Sequence, residues 1–192
     1  MMLKKIKLKN IRSYLEEEIV FPKGSTLLSG QIGSGKTSIL LAAEFALFGL
    51  KRGELSGSSL LRHGKNKGYV ELTVLINEKE ISIKRGLKRN KNSVSQDECY
   101  IKKNNVEYEY TPTELKQKVL KLLNYPKDLI TKNKSYIFRY TVYTPQERIK
   151  KIIDLKEDRR LKTLRKIFDI EKYEKIKTNA ENFAKSLRQK IR

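Results

Sequence analysis

The feature that most constrains this chain is the run Gly30–Thr37, which has the pattern Gly-x4-Gly-Lys-Thr. The apolar segment Ser25–Ser29 precedes it and predicts a buried strand. Apolar residues then recur at helical spacing from Lys36 to Leu47, and Gly49 ends the predicted helix. A strand, a glycine-rich loop and a helix in this order form a P-loop. The sequence therefore predicts an α/β fold with a mixed β-sheet around a phosphate-binding helix.

Each residue type in the loop has a chemical reason. Glycines allow the backbone to curl, so that successive N–H groups point at phosphate oxygens. Lys36 is expected to bring its charge to the β- and γ-phosphates of ATP, and the Thr37 hydroxyl is a predicted ligand of Mg²⁺. Ile32 is expected to contribute only its main chain. The predicted contacts of the loop are Gly30, Ile32, Gly33, Ser34, Gly35, Lys36, Thr37 and Ser38.

The acidic residues that complete a hydrolytic P-loop site are not found in this sequence. Hydrolysis needs an acidic residue at the end of a second buried strand to hold Mg²⁺. Asp154 follows only two apolar residues in a basic, helical context, and Glu44 lies on the helix after the loop. We therefore expect this segment alone to be inactive as an ATPase.

Composition restricts the environment and the partners. The formal net charge is +21, which favours a polyanionic partner, although a lysine-rich proteome, or a fragment whose acidic half is missing, would also account for it. One cysteine, Cys99, excludes an internal disulfide, and with His63 it is too few for a protein zinc site. No apolar run reaches the roughly 20 residues that span a bilayer. We expect a cytoplasmic, nucleoid-associated protein.

Several other elements are predicted from periodicity and turn residues. One helix is predicted to begin at Pro112, with Thr111 as its N-cap, and to end near Leu123. A second helix is predicted to begin at Pro145. Residues 53–68 are predicted as loop. The predicted strands are 3–9 (edge-type), 19–21, a hairpin of 69–76 and 80–85 across Asn77-Glu78, 99–103 and 135–143.

The C-terminal residues carry a narrow apolar seam at coiled-coil spacing. Its members are three or four residues apart: Tyr173, Ile176, Ala180, Phe183, Leu187 and Ile191. From the pattern alone a simple amphipathic helix is equally compatible. We expect an N-terminal lobe over residues 1–154, followed over 155–192 by a helical base and the beginning of an ascending coiled coil.

Three segments together resemble the Rad-fifty/SbcC family of DNA-repair ATPases, which are related to the structural-maintenance-of-chromosomes proteins and have an ABC-type head. They are Asn10–Tyr14, Gly30–Ser38 and Tyr143–Glu147. The resemblance covers the chain as the N-terminal segment of the head. It implies that a C-terminal half supplies the metal-binding Asp, the catalytic Glu and the ABC signature. It also implies that two heads engage around ATP.

The resemblance assigns further residues to the nucleotide site. Arg12 and Ser13 are implied beside the phosphates, where a guanidinium offers planar charge-assisted hydrogen bonds. Gln146 resembles the Q-loop glutamine, implied to reach Mg²⁺ or the attacking water, and with Lys36 it is the predicted catalytic pair. The segment implied near the base and ribose is Leu61, Arg62 and His63.

The resemblance also implies DNA and a Mre-eleven/SbcD-type nuclease as partners, the nuclease docking around residues 155–192. Zn²⁺ is implied only for a coiled-coil apex outside this chain. The predicted DNA-contacting cluster consists of Lys84, Arg85, Lys88, Arg89 and Lys91. A second basic cluster, which is a weaker candidate for DNA contact, consists of Lys127, Lys132 and Lys134.

Two other functions remain compatible with a P-loop. One is a chromosome-organising clamp that binds ATP and hydrolyses little of it. The other is the nucleotide-binding subunit of a transporter, which the Asn10–Tyr14 element and the C-terminal helix disfavour.

Overall fold

The structure is a computed structural model, and it describes residues 1–50, 55–91, 93–124, 154, 156–167 and 170–191. Two compact units divide the chain, residues 1–131 and 132–192. The first contains β1 (Met2–Ile11), β2 (Tyr14–Val20), α1 (Lys36–Phe48), α2 (Gly57–Leu60), β3 (Lys67–Ile76), β4 (Lys79–Arg89), β5 (Val94–Lys103), β6 (Val106–Glu109) and α3 (Pro112–Leu122). The second contains α4 (Glu157–Ile167) and α5 (Glu171–Ile191).

The six strands form one sheet in the order β2-β1-β3-β4-β5-β6, and every neighbouring pair is antiparallel. The mixed α/β class is confirmed, while the sheet of the described residues is antiparallel rather than mixed. The prediction of β1 as an edge strand is wrong, because β2 and β3 flank it. Its alternating lysines lie on a solvated face, where Lys5 and Lys7 pair with Glu18 at 3.3 and 3.1 Å.

The two faces of the sheet have opposite character. One face is apolar and packs against α1 and α3, and its core residues include Ile6, Leu72, Phe45 and Val119. The other face is charged, and cross-strand neighbours alternate in sign along the row Glu18–Lys7–Glu71–Lys84. This alternation explains how many lysines are accommodated on one sheet face without mutual repulsion.

The hairpin predicted across Asn77-Glu78 is confirmed as β3 and β4, with longer strands than expected. Both turn residues have positive φ, 48° and 61°, as two-residue hairpin turns that match strand twist require. The turn fixes the register from Ile76 opposite Lys79 through to Lys67 opposite Lys88. A similar turn at Asn104-Asn105 leads into β6, a strand that the sequence analysis missed.

Helices α1 and α3 follow the predictions closely. Gly49 ends α1 with its N–H bonded to the Phe45 carbonyl at 2.8 Å. Thr111 caps α3, and Glu114 completes a capping box by accepting from the Thr111 N–H at 2.9 Å. The predicted loop over 53–68 contains the short helix α2, capped by Ser56, whose hydroxyl accepts from the Ser59 N–H at 3.1 Å.

Ser25–Ser29 is not a strand in this structure, and Leu27 is 89% exposed, so the prediction of a buried strand is wrong here. A β-strand requires a neighbour to pair its N–H and C=O groups. Among the described residues no strand pairs with this segment. Its apolar composition therefore does not produce a β-strand among the described residues.

The second unit is helical where it is described. The predicted C-terminal helix is confirmed as α5, and its seam residues Tyr173, Ile176, Phe183 and Leu187 are exposed. Arg165 of α4 pairs with Glu174 of α5 at 2.6 Å. Coiled-coil pairing of the seam and the division at residues 154 and 155 stay predictions. The predicted strand 135–143 and the helix start at Pro145 lie outside the described residues.

Among the described residues, no helix combines the length and the apolar character that crossing a bilayer requires.

Candidate functional site

The loop before α1 has the backbone that its glycines predict. Gly33 and Gly35 have φ of 87° and 94°, in the left-handed region that favours glycine, and Gly30 has φ of 148°. A methyl group on Gly35 would lie 2.7 Å from the Ser13 hydroxyl oxygen and 2.9 Å from the Tyr14 hydroxyl. The loop therefore packs directly against the turn that joins β1 and β2, and a larger residue at position 35 would have to displace the Ser13 hydroxyl and the Tyr14 ring.

Lys36 folds back over the loop. Its ammonium donates to the carbonyls of Gly30 and Gln31 at 2.8 and 2.7 Å, and it also contacts the Ser34 hydroxyl at 3.2 Å. An ammonium has three donors, and these contacts use all of them. The charge of Lys36 thus lies inside the curl of the loop, next to the carbonyls of Gly30 and Gln31.

The N-terminus of α1 lies at the end of the same loop. Gly35 is the N-cap, and no side chain caps the helix. The first N–H groups of a helix have no acceptor within the helix, and its dipole makes this end positive, so the end favours an anion. Thr37 is exposed in the first turn, Ser38 is buried behind it, and the Ile32 side chain is fully exposed at the loop tip.

Arg12 lies at the turn after β1 in a strained backbone conformation. Its φ is 47°, which is uncommon for a residue with a side chain. Two bonds to the end of α2 hold it: its N–H donates to the Leu60 carbonyl at 2.9 Å, and its Nε donates to the Ser59 carbonyl at 3.0 Å. Fixing Nε in this way orients the guanidinium, and its outer nitrogens keep donors for another acceptor.

Arg62 completes a reciprocal clamp on this turn. Its Nη1 donates to the carbonyls of Arg12 and Ser13 at 2.9 and 2.7 Å, and its N–H donates to the Asn10 carbonyl at 2.9 Å. The structure therefore brings Arg12, Ser13, Arg62 and Gly35 into one connected site. Sequence reasoning named Arg62 as a nucleotide contact and missed this clamp, which joins residues fifty positions apart.

The other two residues of the predicted base-contacting segment are arranged differently. The Leu61 side chain is 3% exposed and belongs to the core, which corrects the expectation that it approaches the nucleotide. Its main chain forms an isolated bridge with Ile11. His63 is exposed in the turn that follows. Gln146, with the whole Tyr143–Glu147 segment, lies outside the described residues, as do Lys127, Lys132 and Lys134.

The predicted DNA-contacting cluster is split by the sheet. Arg85 is fully buried, because its position in β4 points to the core, so it is removed from that cluster as a correction. Lys84 points to the outer face, where its ammonium lies over the rings of Tyr69 and Tyr100 and 3.7 Å from Glu98. The exposed members that remain are Lys88, Arg89 and Lys91.

Two lysines that the sequence analysis did not name adjoin these residues. The hairpin register puts Lys67 opposite Lys88, and the Arg89 Nε donates to the Lys65 carbonyl at 3.1 Å. The two-residue turn could have identified Lys67, because counting back from the turn fixes the register of β3 against β4. Lys67 also lies 4.0 Å from Glu98, so it is left out of the exposed set that follows. We call the exposed set Lys65, Lys88, Arg89 and Lys91 the hairpin-end cluster.

The loop and turn fit a magnesium triphosphate. The fit follows from the glycine cradle that a Cβ would fill, the Lys36 ammonium within it, the uncapped helix end and the exposed Thr37 hydroxyl. Within the described ranges no group of three or more His, Cys, Asp or Glu side chains could hold a metal. The Thr37 hydroxyl is exposed in the first turn of α1, and its role as a ligand of Mg²⁺ stays a prediction.

Comparison with known families identifies the chain. Residues 5–192 match the family model described as AAA domain, AAA_23. The chain belongs to this family. The match extends through both units, from β1 to the C-terminal helix.

Similar proteins carry one recurring name. A DNA double-strand break repair Rad50 ATPase from Methanocaldococcus jannaschii is 29% identical over 91% of this chain. The protein with the same name from Methanococcus maripaludis is 31% identical over 91%. The chain spans only 16% of the length of each. The resemblance predicted from the sequence is confirmed, and the family is one of ATPases.

Solved structures are similar over part of the chain. The recombination mediator protein RecF with ATP is 24% identical with a TM-score of 0.47, covering 59% of this chain and 29% of that one. The SMC head domain from Thermotoga maritima is 25% identical with a TM-score of 0.44, covering 62% and 42%.

Proposed function

We propose that this chain is the ATP-binding half of a DNA double-strand-break repair ATPase. The observation that carries the proposal is the packing of Ser13 and Tyr14 against Gly35, which joins the P-loop to the turn that holds Arg12. A P-loop by itself is common to many functions. The added turn, together with relatives named as Rad50 ATPases over 91% of the chain, favours this one.

In this proposal the residues of the chain bind and orient the triphosphate. The N–H groups at the start of α1 contact phosphate oxygens, and Lys36 exchanges its loop carbonyls for the β- and γ-phosphates. Arg12, with Nε held by Ser59, offers its outer nitrogens to a phosphate oxygen. Bound Mg²⁺ neutralises charge on the phosphates, and Thr37 is the ligand this chain supplies. Gln146 is the proposed second ligand or water-orienting residue.

Hydrolysis in this proposal requires residues from elsewhere. The sequence has no acidic residue at the end of a second buried strand, the position from which a P-loop site holds Mg²⁺ and orients water. A complementary segment would supply those acids, and its strands would give Ser25–Ser29 the neighbours that it lacks among the described strands. Two completed heads would then enclose ATP between them. This is the reason to expect negligible turnover from the 192-residue chain alone.

DNA and protein partners belong to the same proposal. The hairpin-end cluster is the proposed DNA contact, because its four cations are exposed on one end of a hairpin. The outer sheet face is a poorer candidate, since its lysines pair with glutamates, as Lys102 does with Glu107 at 3.4 Å. The apolar seam of α5 is the proposed start of an intramolecular coiled coil, near which a nuclease subunit would dock.

Lys36→Ala tests the proposal in the intact protein. Loss of the ammonium is expected to weaken binding of Mg²⁺ with a nonhydrolysable ATP analogue by at least about a hundredfold, because charge-assisted bonds to two phosphates are lost. Lys102→Ala makes the same change of charge on the outer sheet face, and affinity should not change. Equal affinities in the two variants, measured by titration calorimetry, would contradict the nucleotide site.

A further inference from the structure

Arg85 is a fully buried cation at the far end of the helix that carries the phosphate loop. Its Nε donates to the Ala46 carbonyl at 2.9 Å, and its Nη2 is 3.4 Å from the Leu47 carbonyl. These carbonyls belong to the last turn of α1, where C=O groups receive no hydrogen bond from an N–H of the helix itself. The helix dipole also makes this end partially negative, which favours a cation. Arg85 therefore satisfies the C-terminal end of α1, opposite the end that faces phosphate.

The same guanidinium reaches two other elements. Its Nη1 donates to the Gln96 side-chain oxygen in β5 and to the Pro112 carbonyl at the start of α3, both at 3.2 Å. Arg85 thus connects α1, β4, β5 and α3 through one planar group. A helix held only by apolar packing can slide or rotate on a sheet, whereas directional bonds at its end fix both movements.

The surrounding backbone is shaped to admit this group. Glu98, with φ of 33°, is the additional residue where the β4–β5 register shifts, and the shift puts Gln96 on the core face beside Arg85. A methyl group on Gly49 would lie 2.8 Å from the Gln96 side-chain oxygen. A methyl group on Gly86 would lie 2.7 Å from the Asp97 carbonyl. The register shift at Glu98 and the two glycines, Gly49 and Gly86, therefore accommodate the hydrogen bond between Arg85 and Gln96.

A buried charge is an expensive way to stabilise a core. Burial lowers the pKa of Arg85 to about 10, which reflects the cost of keeping the guanidinium charged away from water. Apolar residues of similar volume often replace buried ionic groups without loss of stability, and buried polar groups can instead specify one arrangement of elements. The arrangement specified here is the position of α1, and α1 positions the phosphate loop.

We propose that Arg85 is a positioning residue of the phosphate site, acting through the C-terminal end of α1. This inference rests on the proposed nucleotide binding and goes beyond it, since Arg85 touches neither nucleotide nor metal in that proposal. Arg85 contacts the C-terminal end of α1, which has 13 residues, and the inference gives it a role in the loop at the N-terminal end of that helix. Because the effect passes through loop geometry, it should not depend on the base of the nucleotide.

Arg85→Met in the intact protein removes the charge and its donors while keeping an extended side chain. We expect binding of the Mg²⁺–ATP analogue to weaken about tenfold, and binding of inorganic triphosphate to weaken by the same factor. Arg85→Lys should be intermediate, because one ammonium can cap α1 but cannot also reach Gln96 and Pro112. Ile83→Val is the matched control, since it removes one methyl group from the same face of β4 and lowers stability without removing a hydrogen bond to the α1 carbonyls.

Gln96→Met provides a second test if Arg85→Met does not fold, because it removes one acceptor and keeps the charge. We expect it to weaken triphosphate binding by a smaller factor in the same direction. Affinity equal to wild type in Arg85→Met, or in Gln96→Met where only that variant folds, would overturn the inference. So would an equal loss of affinity in Ile83→Val. Failure of nucleotide binding itself would be recognised separately, because Lys36→Ala would then have no effect.

Discussion

Replacing Gly35 and Gly33 by alanine, one at a time, separates two requirements of the phosphate loop. Both residues have positive φ, 94° and 87°, so both substitutions impose the same backbone strain. A Cβ at Gly33 has no neighbour within 4 Å, whereas at Gly35 it would lie 2.7 Å from the Ser13 Oγ and 2.9 Å from the Tyr14 OH. The two positions therefore differ in contact with the β1–β2 turn, and Gly35 is in addition the N-cap of α1.

The expected losses of affinity follow from the backbone strain at both positions and from the additional side-chain contact at Gly35. A left-handed conformation costs an L-residue about 1–2 kcal/mol. An alanine loop that relaxes in the free protein must recover this conformation to bind the triphosphate, and the cost then reduces the affinity. Since about 1.4 kcal/mol is tenfold in affinity, Gly33→Ala should weaken binding of the Mg²⁺–ATP analogue by at most about 5- to 30-fold. A Cβ at Gly35 must in addition displace the Ser13 hydroxyl and the Tyr14 ring, which are side-chain groups that can shift. Gly35→Ala should therefore weaken binding further than Gly33→Ala does.

Titration calorimetry on the intact protein measures both affinities, and thermal unfolding of the same samples reports any general loss of structure. The predicted order is wild type, then Gly33→Ala, then Gly35→Ala. Equal losses in the two variants would refute the packing of the loop against Ser13 and Tyr14. A larger loss in Gly33→Ala would refute it as well.

Other predictions concern stability and DNA. Thr111→Ala should lower the free energy of unfolding by about 1 kcal/mol through loss of the N-cap, while Thr111→Ser should change it little in urea titrations. Glu114 accepts from Thr111, which lowers its pKa below 4.5, so the capping box contributes above that pH and is lost as pH falls through the folded pKa. The difference between Thr111→Ala and wild type should accordingly shrink in acid, and a difference constant with pH would contradict the carboxylate's role. Charge reversal at Lys88, Arg89 and Lys91 should weaken DNA binding and flatten its dependence on the logarithm of salt by about 0.9 for each lost phosphate contact; an unchanged slope would discard this surface.

Elements with local determinants could be predicted from the sequence. The α1 helix has apolar periodicity and a terminal glycine, and α3 has Thr111, Pro112 and Glu114 at capping-box spacing. The β3–β4 hairpin has a turn that fixes its register. In each case the residues that decide the structure lie within one turn or one hairpin, so their spacing in the sequence is sufficient.

Elements that depend on distant partners were predicted wrongly or missed. Ser25–Ser29 has the composition of a strand, but pairing requires a neighbour that composition cannot supply. Arg85 was grouped with surface lysines because strand alternation was not counted through it, although Ile83 and Leu87 on the same side are core residues. The acceptors of its guanidinium belong to three other elements, and no local pattern identifies them.

The candidate site divides in the same way. The glycines, Lys36 and Thr37 are a contiguous motif and were predicted residue by residue. The clamp between Arg12 and Arg62 depends on the bridge between Ile11 and Leu61, which brings two distant segments together. The motif thus predicts a phosphate site, while the fold determines that Arg62 holds the turn and that Arg12 is held through its Nε.

A structure of the intact protein with Mg²⁺ and a nonhydrolysable ATP analogue tests the central claim most directly. The account predicts the triphosphate at the N-terminus of α1, with the Lys36 ammonium moved from the carbonyls of Gly30 and Gln31 to the β- and γ-phosphates. Arg12 should donate to a phosphate oxygen while its Nε stays on the Ser59 carbonyl. A nucleotide bound elsewhere, with Lys36 still on the loop carbonyls, would contradict it.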